Sequence, residues 1–478
     1  MKPTSSVRIL HFWILYLSSN VSIPAWAEPQ HLKTSGIRPT NLQHPGNRLH
    51  ILPLLLWSKR PSSGDDKRTT KIPSNFTILP PEDPSVSRYR EYLRTNTSHP
   101  NPNYDTAVAW IKEQAQAIGI EYKKIDFDPP GLFIIRLKWP GSDPMERSSL
   151  LLNSHIDVVP VDSSKWTYDA FAAVKDDKGN IYGRGAQDRK SQGAQYLEAI
   201  RRLKMRGFSP RRTVYVTFVP DEEVGGDRGM ATFLKASEFM DMNVSLALDE
   251  GAATMDDVYP IFYGERSVFR VRITATGRSS HTAMMLKDNA ATKLNKALGL
   301  LFVFRDEQIN ASNPDGNIEN VTSINLSQIG GGTSPNAVPS EIWAIVDMRL
   351  RLRPTWTFSN LTNLLDSICN QSGNGVSYKV LLNLEIKEES SLSESDFWWR
   401  TIRKSFDEMG WKMKPQIFAG ASDARHLRKA GIQAYGFSPL LFTEQLGHQD
   451  NEFLNENTFL NGITVYEKLI PKLANARE

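Results

Sequence analysis

Cysteine is almost absent from these 478 residues, and Cys369 stands alone. A single thiol excludes an intrachain disulfide and a thiolate metal cluster. Any metal ion would need histidine and carboxylate ligands, a set that suits zinc or manganese. Long apolar runs are missing too. The run at residues 9–17 is too short to span a bilayer as a helix. Histidine is sparse: only His99, His155, His281, His426 and His448 follow residue 78. The body also lacks a basic excess. Residues 1–78 hold ten Lys/Arg and three Asp/Glu, so the remainder carries 47 basic and 50 acidic residues, a net of −3. That balance gives no support to nucleic-acid binding by the body.

The first 78 residues differ from the rest. Lys2 and Arg8 flank the start of the short apolar run, and Ala25-Trp26-Ala27 resembles a cleavage site. Residues 1–27 read as a secretory signal peptide, or else as an uncleaved leader. Residues 28–78 are rich in Pro, Ser and basic side chains without sustained periodicity, which fits a disordered linker or pro-segment. Eight Asn-x-Ser/Thr sequons follow Ala27, including Asn75, Asn96, Asn320 and Asn360. They permit glycosylation in a secreted chain.

Folded sequence begins near Pro84. Residues 86–94 and 107–119 have helical spacing, the second run closing on a glycine. Residues 132–139, 149–159, 213–219 and 244–248 read as strands. A helix follows Asp188, where Tyr196, Ile200 and Leu203 recur a turn apart. This alternation implies an α/β fold with a mixed, largely parallel sheet. The pattern changes after residue 263. Residues 269–276 alternate apolar and polar, and a helix follows with Ala291, Leu294, Leu298 and Leu301 on one face. Strands at 321–328 and 342–350 and a helix at 359–368 come next. Such an order suggests an inserted ferredoxin-like α+β domain over 264–384. Residues 79–263 and 385–478 would form one discontinuous domain around it, with helices at 398–409 and 465–470.

The stretch LLNSHIDVVP, residues 151–160, carries the first chemical signal. Side chains two apart on a strand share a face, so His155 and Asp157 can aim at one spot. An imidazole ligand steered by a carboxylate fits that pattern, and so do two surface polar residues at a strand end. Asp188 follows the Gly-rich turn GRGAQ and could equally cap the next helix. Glu222, Glu223 and Glu250 leave apolar strands, and each could be a solvated loop acid. His448 in GHQDNE could be a surface histidine. Taken together, these residues favour a metal centre, because sites gather beyond the carboxyl ends of strands in α/β sheets. Of two adjacent acids, one can ligate while its neighbour serves as general base.

In chain order, SHIDVVP, YGRGAQDRK, FVPDEEVGG, LDEG, FYGERS and GHQDNEFLNENTF resemble the aminoacylase-1 branch of the di-zinc aminoacylase/carboxypeptidase family, over residues 84–475. The resemblance implies a zinc-peptidase-like catalytic domain with a lid domain that dimerises. It implies two Zn2+ per subunit: His155 and Glu250 on one, Glu223 and His448 on the other, Asp188 between them. Asp157 would orient the first site and Glu222 would be the general base. A cis peptide bond after Asp188 is expected on the same ground. His281 in GRSSH matches a histidine that reaches the oxyanion in the partner subunit of a homodimer. Asn336 in SPNAVP and Arg349 in VDMRL match substrate-binding positions. Arg425 in SDARHL matches one that meets the substrate carboxylate, and an arginine fork fits a carboxylate bidentately. By residue type alone, Arg349 could be an exposed strand residue and Asn336 a turn former. The chain departs from the family pattern at Ser279-Ser280, at Val268-Phe269 and at Arg189, where Met is usual. None of these removes a ligand.

The resemblance therefore implies a zinc-dependent hydrolase of N-acyl-L-amino acids. A dipeptidase or carboxypeptidase on the same scaffold is an alternative, and a secreted non-enzymatic binding protein is another. With a true signal peptide the protein enters the secretory pathway or leaves the cell. Otherwise it is cytoplasmic, as implied by the resembled family.

Overall fold

The computed structural model describes residues 82–127, 132–312 and 319–477. The leader expected at 1–27, the linker at 28–78 and the sequon at Asn75 lie outside the described residues. Among the described residues, no helix is long and apolar enough to cross a membrane.

Eight strands form the larger sheet. Their order is Glu121–Phe127, Leu132–Trp139, Val214–Val219, Ser149–His155, Val244–Asp249, Gln433–Gly436, Val258–Glu265, Lys412–Phe418. The four central strands, from Val214–Val219 to Gln433–Gly436, run parallel to one another. Burial on both faces explains why three of them are mainly apolar, at residues 150–152, 214–219 and 246–248. Leu150 and Leu152 enter one core with Val214, Val216, Leu246 and Leu248, while Leu151 enters the other with Tyr215 and Ala247. The first core takes in side chains of helices Pro84–Leu93, Asp105–Ile118, Lys190–Met205 and Glu456–Ala474. The second takes in Met230, Phe233, Phe239, Ala424 and Leu427.

The smaller sheet is antiparallel throughout, in the order Ser323–Gly331, Glu341–Leu350, Ser267–Thr276, Val376–Leu384. Helices Ala290–Ala311 and Phe358–Ser372 contribute Leu294, Leu298, Leu361 and Leu365 to one core with Val271, Ile273, Ala344 and Val346. This is the ferredoxin-like arrangement.

One strand reading needs correction. The strand beginning at Ser149 ends at His155 rather than residue 159. Beyond it the chain leaves the sheet, and the Val158 N–H donates to the Thr97 carbonyl instead. Glu121–Phe127 and Lys412–Phe418 are strands that sequence periodicity does not reveal. Both are sheet edges, largely solvated, and the second contains Pro415, which edges tolerate.

Candidate metal centre

Three parallel strands finish side by side and deliver the acids. His155 is the last residue of its strand; Val214–Val219 runs on into Asp221–Glu223, and Val244–Asp249 runs on into Glu250. Glu222–Val224 makes a single tight turn between Asp221 at φ 67 and Gly225 at φ 118. The Asp221 carboxylate accepts the N–H groups of Arg228 and Gly229, which closes that loop. Asp188 lies two residues before the helix Lys190–Met205. Its backbone is held by Glu452, which accepts from the N–H groups of Gly185, Gln187 and Asp188 and pairs with Arg184 at 2.8 Å. The Asp188–Arg189 peptide bond is cis.

These elements bring the five ligand candidates together around one carboxylate. Asp188 Oδ1 is 3.1 Å from His155 Nε2, and Asp188 Oδ2 is 3.2 Å from His448 Nε2. Glu250 Oε2 is 3.2 Å from His155 Nε2, and Glu223 Oε2 is 3.0 Å from His448 Nε2. Two half-sites thus flank Asp188. His155 Nδ1 has the Asp157 carbonyl at 2.9 Å, which fixes the ring with Nε2 toward the acids.

The electrostatics call for positive charge. Burial lowers the proton affinity of His155, but Asp157, Asp188 and Glu250 outweigh it and push the imidazole well above its usual value. His448 is pushed up to about 10 by Asp188 and Glu223. Burial raises the Glu222 carboxyl well above the carboxylate range, and Glu250 adds to this. Glu223 Oε1 and Glu250 Oε2 are buried without an aligned hydrogen-bond donor. Orphaned buried carboxylate oxygens are costly unless a cation meets them. Nitrogen and oxygen donors with no thiolate fit a borderline divalent cation. Ligand atoms of His155, Glu222 and Glu250, and separately of His155, Asp188 and Glu223, converge within 4.8 Å. The first grouping includes Glu222. Its Oε1 lies 4.0 Å from Arg425, whose guanidinium is held by the Ser422 and Gly225 carbonyls.

Asp157 has a different reach from the one expected. Its carboxylate is 3.5 Å from the His155 ring, a weak contact. It instead accepts the N–H groups of Glu222 and Glu223 at 3.2 and 3.1 Å, and it meets His99 Nε2 at 2.9 Å. Asp157 therefore holds the loop that carries the acids. His99 was not singled out from sequence, since its partner is 58 residues away. The Asp157 hydrogen bond raises the His99 pKa above 6.5. A raised folded-state pKa stabilises the fold fully below the unfolded value and ceases to do so as pH rises through the folded value. His99→Gln keeps a donor but loses the charge. It should cost about 1 kcal/mol at pH 6 and much less at pH 9, measured by melting of the metal-free protein. An equal deficit at both pH values would mean that the ring is uncharged in the fold.

The remaining candidates, His281, Asn336 and Arg349, belong to the smaller sheet and its neighbouring strands. His281 is exposed on the short strand Ser280–His281, paired with Ala337–Val338. Its Nδ1 accepts the Ala283 N–H, so Nε2 carries the proton. The Asn336 carbonyl accepts the Thr282 N–H, which keeps Asn336 beside His281. Arg349 is half-buried on the smaller sheet and pairs with Asp347 at 2.6 Å. No hydrogen bond or ion pair among the described residues joins His281, Asn336 or Arg349 to the five ligand candidates.

Comparison with known proteins bears on this arrangement. The model of peptidase family M20/M25/M40 matches residues 151–472. The chain is 41% identical to aminoacylase-1A of Rattus norvegicus over 409 residues, covering 85% of this chain and 98% of the relative. The chain belongs to the aminoacylase-1 branch of this family. Solved structures share the fold at low identity. Human carnosine dipeptidase 1 aligns with a TM-score of 0.64 at 15% identity, over 82% of this chain and 96% of that one. The Bacillus subtilis YXEP protein, a dinuclear metal-binding peptidase of the family, aligns at 0.53 and 15% identity, over 81% and 96%.

Proposed function

We propose that this protein is a binuclear zinc amidohydrolase that cleaves N-acyl-L-amino acids into a carboxylate and a free L-amino acid. The carrying observation is the Asp188 carboxylate set between His155 with Glu250 and His448 with Glu223. Similarity to aminoacylase-1A across nearly the whole relative supports the substrate class. His155 and Glu250 would hold one ion, Glu223 and His448 the other, with Asp188 shared. When bound, the ions supply a Lewis acid for the amide carbonyl and lower the pKa of water.

The side chains of the chain do the rest. Glu222 takes a proton from the attacking water and passes it to the leaving amine as the C–N bond breaks. Burial and neighbouring acids raise its affinity for that proton. His281, with Nε2–H free, donates to the oxyanion. Arg425, Asn336 and Arg349 receive the substrate, Arg425 through its carboxylate. Asp157 fixes the Glu222 loop and, through its backbone carbonyl, the His155 ring. The testing experiment compares zinc-loaded protein on N-acetyl-L-methionine and on an unblocked dipeptide. Preference for the acyl-amino acid supports the reading; preference for the dipeptide replaces it with a dipeptidase; zinc binding with no turnover of either leaves a binding protein.

The same reading makes the protein a homodimer with composite sites. Support comes from the lack of a hydrogen bond or ion pair between His281 and the ligand candidates among the described residues, and from the edge strand Ser323–Gly331, where Ile329 is 63% exposed. Mixing His281→Ala with Glu222→Gln under subunit exchange should restore up to about half of wild-type activity per mixed dimer, because one site then has both lesions and the other neither. No recovery after proven exchange would place His281 in its own subunit's site or outside catalysis. The leader adds export from the cytoplasm to the proposal. Asn96 and Asn320 are exposed, so glycosidase treatment of protein from a secreting host should shift its mass.

A further inference from the structure

Arg189 stands beside the ligands and has no part in that chemistry. The residue is 5% exposed, and its guanidinium is anchored by neutral groups. Nη1 donates to Ser438 Oγ at 2.7 Å and Nη2 donates to the Gly251 carbonyl. Ser438 Oγ also accepts the Gly251 N–H at 3.2 Å and donates to Gln192 Oε1 at 3.0 Å. The approach is close: a Cβ on Gly251 would lie 2.4 Å from the Ser438 nitrogen. These contacts fix the guanidinium without neutralising it, and an arginine does not lose its proton in a protein.

The charge left over faces one half of the cluster. Arg189 Nε has no hydrogen-bond partner. It lies 3.6 Å from Glu250 Oε2 and 3.9 Å from Asp188 Oδ1, the two oxygens nearest His155 Nε2. Glu223, in the other half, has His448 as its ion-pair partner among the described residues. The halves therefore differ by one buried positive charge at near-contact range. Repulsion between like charges grows as distance and dielectric fall, and a buried pair is little screened by salt. The count of ligand charges sets how tightly a divalent cation is held.

We propose that Arg189 makes the His155–Glu250 half the weaker of the two cation sites, so that its ion exchanges while the Glu223–His448 ion stays. This rests on the binuclear reading above. The Arg189 charge offsets one carboxylate in that half, whereas His99, near the Glu223 loop, is itself paired with Asp157, the carboxylate that accepts the Glu223 N–H.

The test is a zinc titration of the metal-free, full-length protein against a chromophoric chelator. The wild type should give two dissociation constants at least about tenfold apart. Arg189→Met should tighten the weaker constant about tenfold or more and move the tighter one by less than about threefold. Arg189→Gln is neutral but can keep one of the two hydrogen bonds, and it carries the same expectation if the Met variant does not fold. Arg189→Lys keeps the charge and should keep the gap. In a His448→Ala background the remaining constant should respond to Arg189→Met; in a Glu250→Gln background it should not. The direction is decisive, because a merely structural brace, once lost, can only loosen the site. If neutral variants leave the constants unchanged or loosen them, the proposal is overturned. Two equal wild-type constants would also overturn it while leaving the binuclear reading in place. A wild type that binds no zinc would remove the binuclear reading itself.

Discussion

Glu222→Gln should retain both metal ions and lose about 10²–10⁴-fold in turnover, the usual worth of a general acid–base group. The substitution is nearly isosteric and keeps the loop intact, because that loop is fixed from outside. Asp157 accepts the backbone N–H groups of residues 222 and 223, and the Asp221 carboxylate closes the far side. Neither contact uses the Glu222 side chain. Asp188, Glu223 and Glu250 keep their imidazole neighbours. What disappears is a carboxylate that can take a proton and give it back. The readouts are zinc per chain and kcat on N-acetyl-L-methionine. The effect should fall on kcat with little change in KM, since Arg425 remains to meet the substrate. Lost zinc would mean that Glu222 is a ligand, the role its grouping with His155 and Glu250 would allow. Intact zinc with a near-normal rate would remove it from the reaction.

The parts of this site legible in sequence are those that follow from strands buried on both faces. An unbroken apolar run locates a central strand, and parallel strands end at the same edge, so His155, Glu222, Glu223 and Glu250 could be gathered without a structure. Asp188 and His448 carry weaker signals, because alone the first reads as a helix cap and the second as a surface loop histidine; they join the centre only in combination with the strand-end residues, and the division into two sites needed the family resemblance. The supporting contacts were illegible for a different reason. Glu452 sits inside a motif that sequence singled out for His448, yet its work is to receive backbone N–H groups some 264–267 residues earlier. His99 and Asp157 meet through a loop that carries no periodicity. Arg189 stands next to a ligand in sequence, but only the fold turns its side chain toward Glu250 as well. Edge strands such as Glu121–Phe127 show no binary pattern because only Ile125 among them is buried.

Asp188→Ala should abolish binding of both ions, whereas His448→Ala should remove one. Asp188 presents one oxygen to each half-site, 3.1 Å from His155 Nε2 and 3.2 Å from His448 Nε2. Burial alone would raise its pKa, but the two imidazoles outweigh burial and hold it well below the usual carboxylate range. Deleting it leaves His155 with Glu250 and His448 with Glu223, two ligands on each side. That is one short of the three protein ligands typical of a catalytic zinc site. The backbone at residue 188 should not collapse, because Glu452 holds the preceding N–H groups whatever the side chain is. His448→Ala leaves Asp188 with the His155–Glu250 half, so one site keeps three ligands. Zinc per chain at equilibrium with zinc above both dissociation constants should read about two for wild type, about one for His448→Ala and near zero for Asp188→Ala; these values follow from three-ligand sites. Melting provides a second readout. A ligand that binds only the folded state stabilises by RT ln(1 + [L]/Kd), about 4 kcal/mol at a thousandfold excess over Kd. Added zinc should therefore raise the melting temperature of the wild type and of His448→Ala, and leave Asp188→Ala unmoved. Asp188→Asn separates shape from charge: its amide oxygen can serve one half-site only, so it should retain a single ion. If Asp188→Ala and His448→Ala each lose one ion, Asp188 belongs to one site and the two halves share no ligand.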